Sequence, residues 1–527
     1  GHANERKHVR YIHPVRKAMK EGWRLLGRSR RPTLRPYHHR HGLRMSPLFH
    51  PFAGYLFACM LAVPVLAQQP ALTWGPVIDV NAPGEGGLRP RIALNTAGDP
   101  VVLWGRSGPA ANLVAVWNGT SFGAPVEVSM PGCIPSVAEW MGSGIAAHGN
   151  TLWVVMKATP EESRPLYVRR SDDGGLTWGD TLRVDPLDDG VSRFPSIAVS
   201  DAESPVVQYM RFDSGYIGAR QVTARLNGAA FDPPVPVSTP FLDGDVCDCC
   251  PSQVEALGDR VVALYRHAEG NERVMWGATS DDGGVSFPVG SLLDTTGWLL
   301  NACPSSGPDG YLTADSIRYV WMSGANNGNK VYVGSADVAG LGLGPQRLVH
   351  PGQSIGHQQG DPRIAGTADT VGIVWQQNKA GQLEVLFAWS TSGPGGLGEP
   401  DTVNAVLTGA QRTPDIAYAN GNFHVIWSEG NTQVRYRKAT ITSDVGVQEP
   451  GARAVRVWPD PPTDDLRVEG AWARGEVLDV SGRTLLRPTV QQGAIGIGAL
   501  PPGTYVPRLR EVGGASTATT FRKQQAP

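Results

Sequence analysis

Pro90-Arg-Ile-Ala93 stands ahead of Val101-Val-Leu-Trp104, and the same pair of short strands returns three times in clear form. It reads Pro195-Ser-Ile-Ala198 with Val206-Val-Gln-Tyr209, Pro362-Arg-Ile-Ala365 with Ile373-Val-Trp375, and Pro414-Asp-Ile-Ala417 with Val425-Ile-Trp427. A unit that recurs at a spacing of some 45 to 60 residues is the mark of a repeat architecture. Weaker copies open at Pro135, Pro251 and Pro304, with second strands at Leu152-Trp-Val-Val-Met156, Val261-Val-Ala-Leu-Tyr265 and Tyr319-Val-Trp321. These β-branched runs ending in an aromatic suit strands buried on both faces, as between stacked sheets.

A fourth strand follows in six of the repeats, at Phe122-Gly-Ala-Pro-Val126, Trp178-Gly-Asp180, Phe231-Asp-Pro-Pro-Val235, Phe287-Pro-Val-Gly290, Leu343-Gly-Pro345 and Leu397-Gly-Glu-Pro400. The seventh stands at the front, as Thr73-Trp-Gly-Pro-Val-Ile-Asp-Val80, while the last repeat stops after Thr432-Gln-Val-Arg-Tyr-Arg437. Pairing the two would close a ring and remove its edges. The expected fold is all-β, a seven-bladed β-propeller over residues 68–446 followed by a small β-sandwich. A six-bladed ring with one spurious repeat, or an open array of sandwiches, is the competing reading.

The composition agrees, because 65 glycines and 43 prolines punctuate 527 residues of which 18% are charged. The net charge of −1 hides an asymmetry: residues 1–44 carry 13 Lys or Arg against Glu5 and Glu21. The run His38-His39-Arg40-His41 could meet phosphate, yet the expectation is no nucleic-acid partner and an upstream basic segment ahead of Met45. An apolar run from Ala53 to Leu66, ending in Val65-Leu66-Ala67, makes residues 45–67 a signal peptide. Leu56-Phe-Ala-Cys59 has lipobox character, but the run continues past it. No later stretch is long and apolar enough to span a bilayer, so no transmembrane span is expected in the mature protein.

Ser171-Asp-Asp173-Gly-Gly175-Leu-Thr-Trp178 and Ser280-Asp-Asp282-Gly-Gly284-Val-Ser-Phe287 occupy matching places between third and fourth strands. Both fit the Asp-box, and their expected role is structural. Asp accepts backbone N–H groups across the turn, Gly takes the positive-φ position and the aromatic packs between sheets. With them stand Cys247-Asp-Cys-Cys-Pro-Ser252 and Trp298-Leu-Leu-Asn-Ala-Cys-Pro304. Over about residues 73–443 the chain resembles the sialidase-like Asp-box (BNR repeat) propellers, a group of exported bacterial proteins.

That resemblance implies an axial site. In a propeller the loops into the innermost strands and after the second strands share one face. There the sequence sets Arg89, Arg91, Arg193, Arg363 and Arg412 beside the opening prolines, and Arg106, Arg211 and Arg266 after second strands. Guanidiniums bind carboxylate, sulfate or phosphate bidentately, so the expected ligand is an acidic glycan or similar anion. True sialidases add an Arg-Ile-Pro motif, a Tyr nucleophile with a Glu partner, and an Asp acid/base. Here Arg89-Pro-Arg-Ile92 only approximates that motif. Tyr209 or Tyr265 is the candidate nucleophile and Glu139 or Glu255 its partner, which would make the chain a glycoside hydrolase; a non-catalytic recognition or adhesion propeller is the rival.

Five cysteines follow the leader: Cys133, Cys247, Cys249, Cys250 and Cys303. In an oxidising exterior a disulfide between the Cys247–Cys250 cluster and Cys303 is the default, with no cofactor expected. The sharper alternative is a thiolate metal site of Cys247, Cys249, Cys250 and Cys303, making a metal-binding propeller enzyme.

After Asp444 the pattern changes to Val457-Trp-Pro-Asp-Pro461, Val477-Leu-Asp-Val-Ser-Gly-Arg483, Leu500-Pro-Pro-Gly-Thr-Tyr505 and a closing Phe521-Arg-Lys523. Residues 447–527 resemble a type IX secretion (Por) sorting domain, with Asp460 in the place of the usual Asn. This implies recognition by the type IX secretion machinery and export through the periplasm to the outer-membrane surface or exterior of a Gram-negative bacterium.

Overall fold

The structure, a computed structural model, describes residues 70–442 apart from 202, 243 and 353–355. It also describes 457–523 apart from 461–463, 470–473, 480–482, 511–515 and 519–520. The basic segment of residues 1–44, the expected signal peptide of residues 45–67 and residues 443–456 lie outside the described residues.

Among the described residues, seven antiparallel sheets of four or five strands occupy Ala71 to Thr442. Their innermost strands are Leu88–Leu94, Gly144–His148, Val191–Ala198, Gln253–Leu257, Asp309–Leu312, Gln358–Gly366 and Gln411–Ala419. Each packs on the next in that order, and Gln411–Ala419 packs back on Leu88–Leu94, so the circuit closes. The front strand Ala71–Asp79 pairs antiparallel with Gln433–Thr442 and completes the seventh sheet.

Seven apolar cores lie between the sheets. Val101, Leu103, Leu152 and Val154 form one, across the first and second sheets. Ile92, Val102 and Trp104 meet Ile426, Val434 and Tyr436 where the ring closes. The aromatics that end the second strands, Trp104, Tyr209, Tyr265, Trp321, Trp375 and Trp427, are almost wholly buried there. A strand can alternate faces and still be apolar throughout because both faces meet a neighbouring sheet.

Two of the prolines do not open an innermost strand. The fifth innermost strand starts after Pro308, at Asp309, and not after Pro304. In the second sheet Pro135 belongs to a short strand, Ile134–Pro135, that pairs with one end of Thr151–Thr159, while Gly144–His148 pairs with the other end. Residues 136–143 therefore loop out over the end of the ring.

At four sheets the proline sits in a bulge. Register shifts occur between Leu88 and Arg91, Arg193 and Ser196, Gly360 and Arg363, and Arg412 and Asp415. The residue before each proline, Arg89, Phe194, Asp361 or Thr413, takes a φ of 42 to 50°. Proline has no N–H to give a ladder, so a bulge is where an inner strand tolerates it.

Beyond the ring, strands Val457–Asp460, Asp465–Val468 and Ala494–Gly496 form one sheet; Arg474–Leu478, Thr484–Leu486, Gly503–Arg510, Ser516–Ala518 and Phe521–Lys523 form a second. Leu466, Val468 and Ile495 of the first share a core with Val477, Tyr505, Leu509 and Phe521 of the second. No helix among the described residues is long and apolar enough to cross a membrane.

Candidate functional site

Each innermost strand contributes one residue to the hub at the same register. It is the residue paired with the position just before the second-strand aromatic or its equivalent. Arg91 pairs with Leu103, Gly144 with Val155, Ser196 with Gln208, and Gln253 with Leu264. Asp309 pairs with Val320, Arg363 with Val374, and Asp415 with Ile426. These seven residues line a cavity of about 360 Å³. Glu255, two residues beyond Gln253 and so on the same face, lines it as well.

The hub is of mixed charge. Arg363 Nη1 donates to Asp309 Oδ1 at 2.8 Å, and its Nε lies 3.9 Å from Asp415 Oδ1. Each acid also bridges to the following sheet: Asp309 Oδ2 accepts the N–H of Ile364 at 2.8 Å, and Asp415 Oδ2 that of Ile92 at 3.0 Å. Burial raises the pKa of Asp309 against the pull of Arg363. Burial, with the charge of Asp309, raises Glu255 well above the usual carboxylate range although Gln253 Nε2 donates to it at 2.8 Å. Burial thus favours the protonated form of Glu255, the form able to donate a proton.

Arg91 differs from Arg363. Its Nη1 donates to the carbonyl of Pro90 at 2.8 Å, and among the described residues no carboxylate comes within ion-pair distance of it. Burial first, then the neighbouring Arg363 guanidinium, pulls its pKa down to about 9. Arg89 also borders the cavity but is committed. It donates to the carbonyl of Glu139 at 2.9 Å and lies 3.5 Å from Asp361 Oδ1.

The other candidate cations are placed elsewhere. Arg412 Nη1 donates to Glu139 Oε1 at 2.7 Å, and Asn431 donates to the same oxygen. Glu139 is thus a tie between the residue 136–143 loop and the seventh sheet, not a partner of a tyrosine. Arg193 Nε lies 2.7 Å from Glu161 Oε2, its guanidinium 5.1 Å from the centroid of the Trp140 ring. Arg211 pairs with Asp188. Arg106 Nε donates to Pro109 O at 3.0 Å on the exterior. Arg266, 2% exposed, donates to the carbonyls of Ser306, Met322 and Arg273 between the fourth and fifth sheets. Of the eight arginines, Arg89, Arg91 and Arg363 reach the hub; in place of the expected ring of cations stands a hub of mixed charge, in which Arg91, unlike Arg89 and Arg363, makes no ion pair among the described residues.

The tyrosine candidates are corrected too. Tyr209 and Tyr265 are 0% exposed and sit in the cores between sheets. Tyr265 donates its hydroxyl to Val237 O at 3.0 Å, and burial raises both phenol pKa values. No solute reaches either oxygen, because the aromatic alternates away from the axis that its neighbour faces. Asp309, Asp415 and Gln253 escaped the reading from prolines. Counting a dozen or so residues back from each second-strand aromatic, or from Met156 in the second sheet, finds all seven hub positions.

The Asp-boxes lie in loops between the third and fourth strands. Asp173 Oδ1 accepts the N–H groups of Leu176 at 3.0 Å and Thr177 at 2.9 Å, and Oδ2 the Thr177 hydroxyl at 2.6 Å. Asp282 accepts the N–H and hydroxyl of Ser286 at 2.9 and 2.6 Å. Gly175 has φ +95°, and a Cβ there would meet Val101 and Val116 of the preceding sheet at 3.2 Å. The Ser171 and Ser280 hydroxyls accept the N–H of Gly175 and Gly284, both at 2.9 Å. Trp178 and Phe287 then pack into the cores between sheets.

At the fourth and fifth sheets Cys249 and Cys303 form a disulfide. Cys247 and Cys250 are buried thiols, and Cys133 is a third, partly exposed one. The sulfurs of Cys247, Cys249 and Cys250 lie within 4.8 Å of one another. With Cys249 in a disulfide, two of the four proposed thiolate donors are spent.

No protein family model matches the chain, and no curated protein does. Solved structures similar to it include the Penicillium chrysogenum α-L-arabinanase complexed with arabinobiose, at 13% identity over 70% of this chain and 99% of that one, TM-score 0.38. A polysaccharide lyase, an ulvan lyase bound to -[GlcA(1-4)Rha3S]-, gives 9% identity over 69% and 95%, TM-score 0.45. A subtype N10 neuraminidase-like protein of A/little yellow-shouldered bat/Guatemala/060/2010 gives 10% over 62% and 99%, TM-score 0.38. No residue role passes from these proteins to this chain.

Proposed function

We propose that this chain is an exported propeller that recognises acidic glycans, taking a carboxylate or sulfate group into the hub against Arg91. The observation that carries the reading is that Arg91 lines the hub cavity with no carboxylate within ion-pair distance among the described residues, while Arg363 has two. A half-buried cation in that state gains from an anion that reaches it. Glu255, which lines the same cavity and whose protonated form burial favours, supplies a donor for a sugar hydroxyl or a second acidic oxygen. The cavity volume of about 360 Å³ falls in the range of small-molecule sites.

A second reading is glycoside hydrolysis with Glu255 as general acid, favoured by the same raised pKa. Support for export comes from the sequence: the apolar run from Ala53 to Leu66 and the sorting-domain pattern of residues 447–527.

Calorimetry on the full chain with glucuronate, N-acetylneuraminate and galactose tests recognition. An acidic sugar should bind, galactose should not, and Arg91→Gln should weaken binding about ten- to a hundredfold, the worth of a charge-assisted hydrogen bond. Equal binding of galactose, or an unchanged Arg91→Gln variant, overturns the reading. Product release from a fluorogenic sialoside that is abolished by Glu255→Gln would move the chain to the second reading.

A further inference from the structure

The cysteines at the junction of the fourth and fifth sheets form a pattern that glycan recognition does not use. Cys247-Asp-Cys-Cys250 places two buried thiols around a third sulfur that is already oxidised, bonded to the exposed Cys303. Cys247 Sγ lies 3.6 Å from Cys249 Sγ and 3.1 Å from Cys250 Sγ. A thiol in contact with a disulfide sulfur, with a second thiol in contact with the first, is the arrangement through which thiol–disulfide exchange runs.

We propose that Cys247, Cys250 and the Cys249–Cys303 disulfide form an internal exchange relay that moves the bond between an exposed and a buried pairing. In the first step the Cys247 thiol gives its proton to solvent and its sulfur attacks Cys249 Sγ. The Cys247–Cys249 bond forms, the Cys249–Cys303 bond breaks, and the Cys303 thiolate leaves and takes up a proton. In the second step Cys250 loses its proton and attacks Cys247 Sγ; the Cys247–Cys250 bond forms and Cys249 leaves as a thiolate that is reprotonated. One disulfide and two thiols are present before and after, so no outside oxidant or reductant enters.

The surroundings favour this direction of attack. The hydrogen bond from Cys250 first, and then the Arg266 and Arg273 guanidiniums, bring the Cys247 thiol down to about 7 against its burial, while burial raises Cys250. Cys247, in contact with both other sulfurs, is thereby placed as the attacking thiol and Cys250 as the resolving one. Cys303 faces solvent with Ser305 Oγ at 3.0 Å from its sulfur. Once released, it is open to a second thiol compound. The transfer would also untie the segment around Cys303 from Cys249, and Ser306 of that segment is what Arg266 holds.

The test follows linkage in the full chain, held at about pH 8 without reductant or oxidant, quenched in acid, alkylated and mapped by mass spectrometry. The wild type should show both Cys249–Cys303 and Cys247–Cys250 linkages, with label on Cys303 and Cys249 in step with the second. Cys250→Ser should accumulate Cys247–Cys249 with free Cys303. Cys247→Ser should keep Cys249–Cys303 alone and cut Cys303 labelling about tenfold or more. The wild type decides by itself even where a variant folds poorly. A single unchanging linkage, two disulfides with Cys133 as the remaining thiol of the mature chain, or stoichiometric zinc or copper on the four sulfurs would each overturn the relay.

Discussion

Asp415 Oδ2 accepts the backbone N–H of Ile92 at 3.0 Å, a bond between residues 323 apart that joins the last innermost strand to the first. Asp309 makes the same bond to Ile364 at 2.8 Å. Two hub carboxylates therefore act as spokes between neighbouring sheets, and Arg363 between them is held by both. Asp415→Ala should lower unfolding free energy by about 1–3 kcal/mol, the cost of leaving a buried N–H unpaired. Asp309→Ala should cost more, since Arg363 then loses its direct ion pair. Urea unfolding followed by tryptophan fluorescence measures both, and unchanged midpoints would refute the spoke role.

Arg266 and Arg106 look alike in the sequence, each two residues or fewer past a second-strand aromatic. In the fold Arg266 satisfies three carbonyls in a buried seam, while Arg106 binds one carbonyl on the exterior. Arg266→Met should destabilise by about 3 kcal/mol and Arg106→Ala by about 0.5 kcal/mol or less. Thermal unfolding of the two variants side by side makes the comparison; equal shifts would contradict the placement.

His424 is buried, with Nδ1 2.9 Å from the Tyr436 hydroxyl, and burial with the charge of Lys438 lowers its pKa to about 4. The unfolded chain, with the ordinary value near 6.5, takes up this proton first as the pH falls. His424 thus contributes stability that is complete above about 6.5 and is lost between about 6.5 and 4, on the order of 3 kcal/mol in all. His424→Phe should flatten the stability profile through that window. A profile that keeps its slope in the variant would assign the loss to other groups.

Much of the ring was legible in the sequence because its signals are local. The aromatic that ends each second strand must be buried between sheets, so Trp104, Trp321, Trp375 and Trp427 announce themselves by type and spacing. The front strand carries the fourth-strand pattern in full, which made its pairing with Gln433–Thr442 predictable. The hub was harder. A bulge with a positive φ at Arg89, Phe194, Asp361 and Thr413 inserts a residue before the proline, and counting outward from the proline then mixes the faces. Arg412 could not be known to meet Glu139, nor Arg193 Glu161, because those carboxylates belong to other repeats and arrive only by folding. The segment after Cys303 misled for a simpler reason: Pro304 and Pro308 are four residues apart, and only the second precedes a strand.

A ribosome delivers Ala71 371 residues before Thr442, the residue it finally sits beside. Through nearly all of synthesis the front strand has no partner, and an unpaired strand edge is open to other chains. The latch can close only when the last sheet has emerged. A passage across a membrane that finishes before closure would therefore meet a threadable polymer, whereas one that starts after it would have to carry a finished wheel.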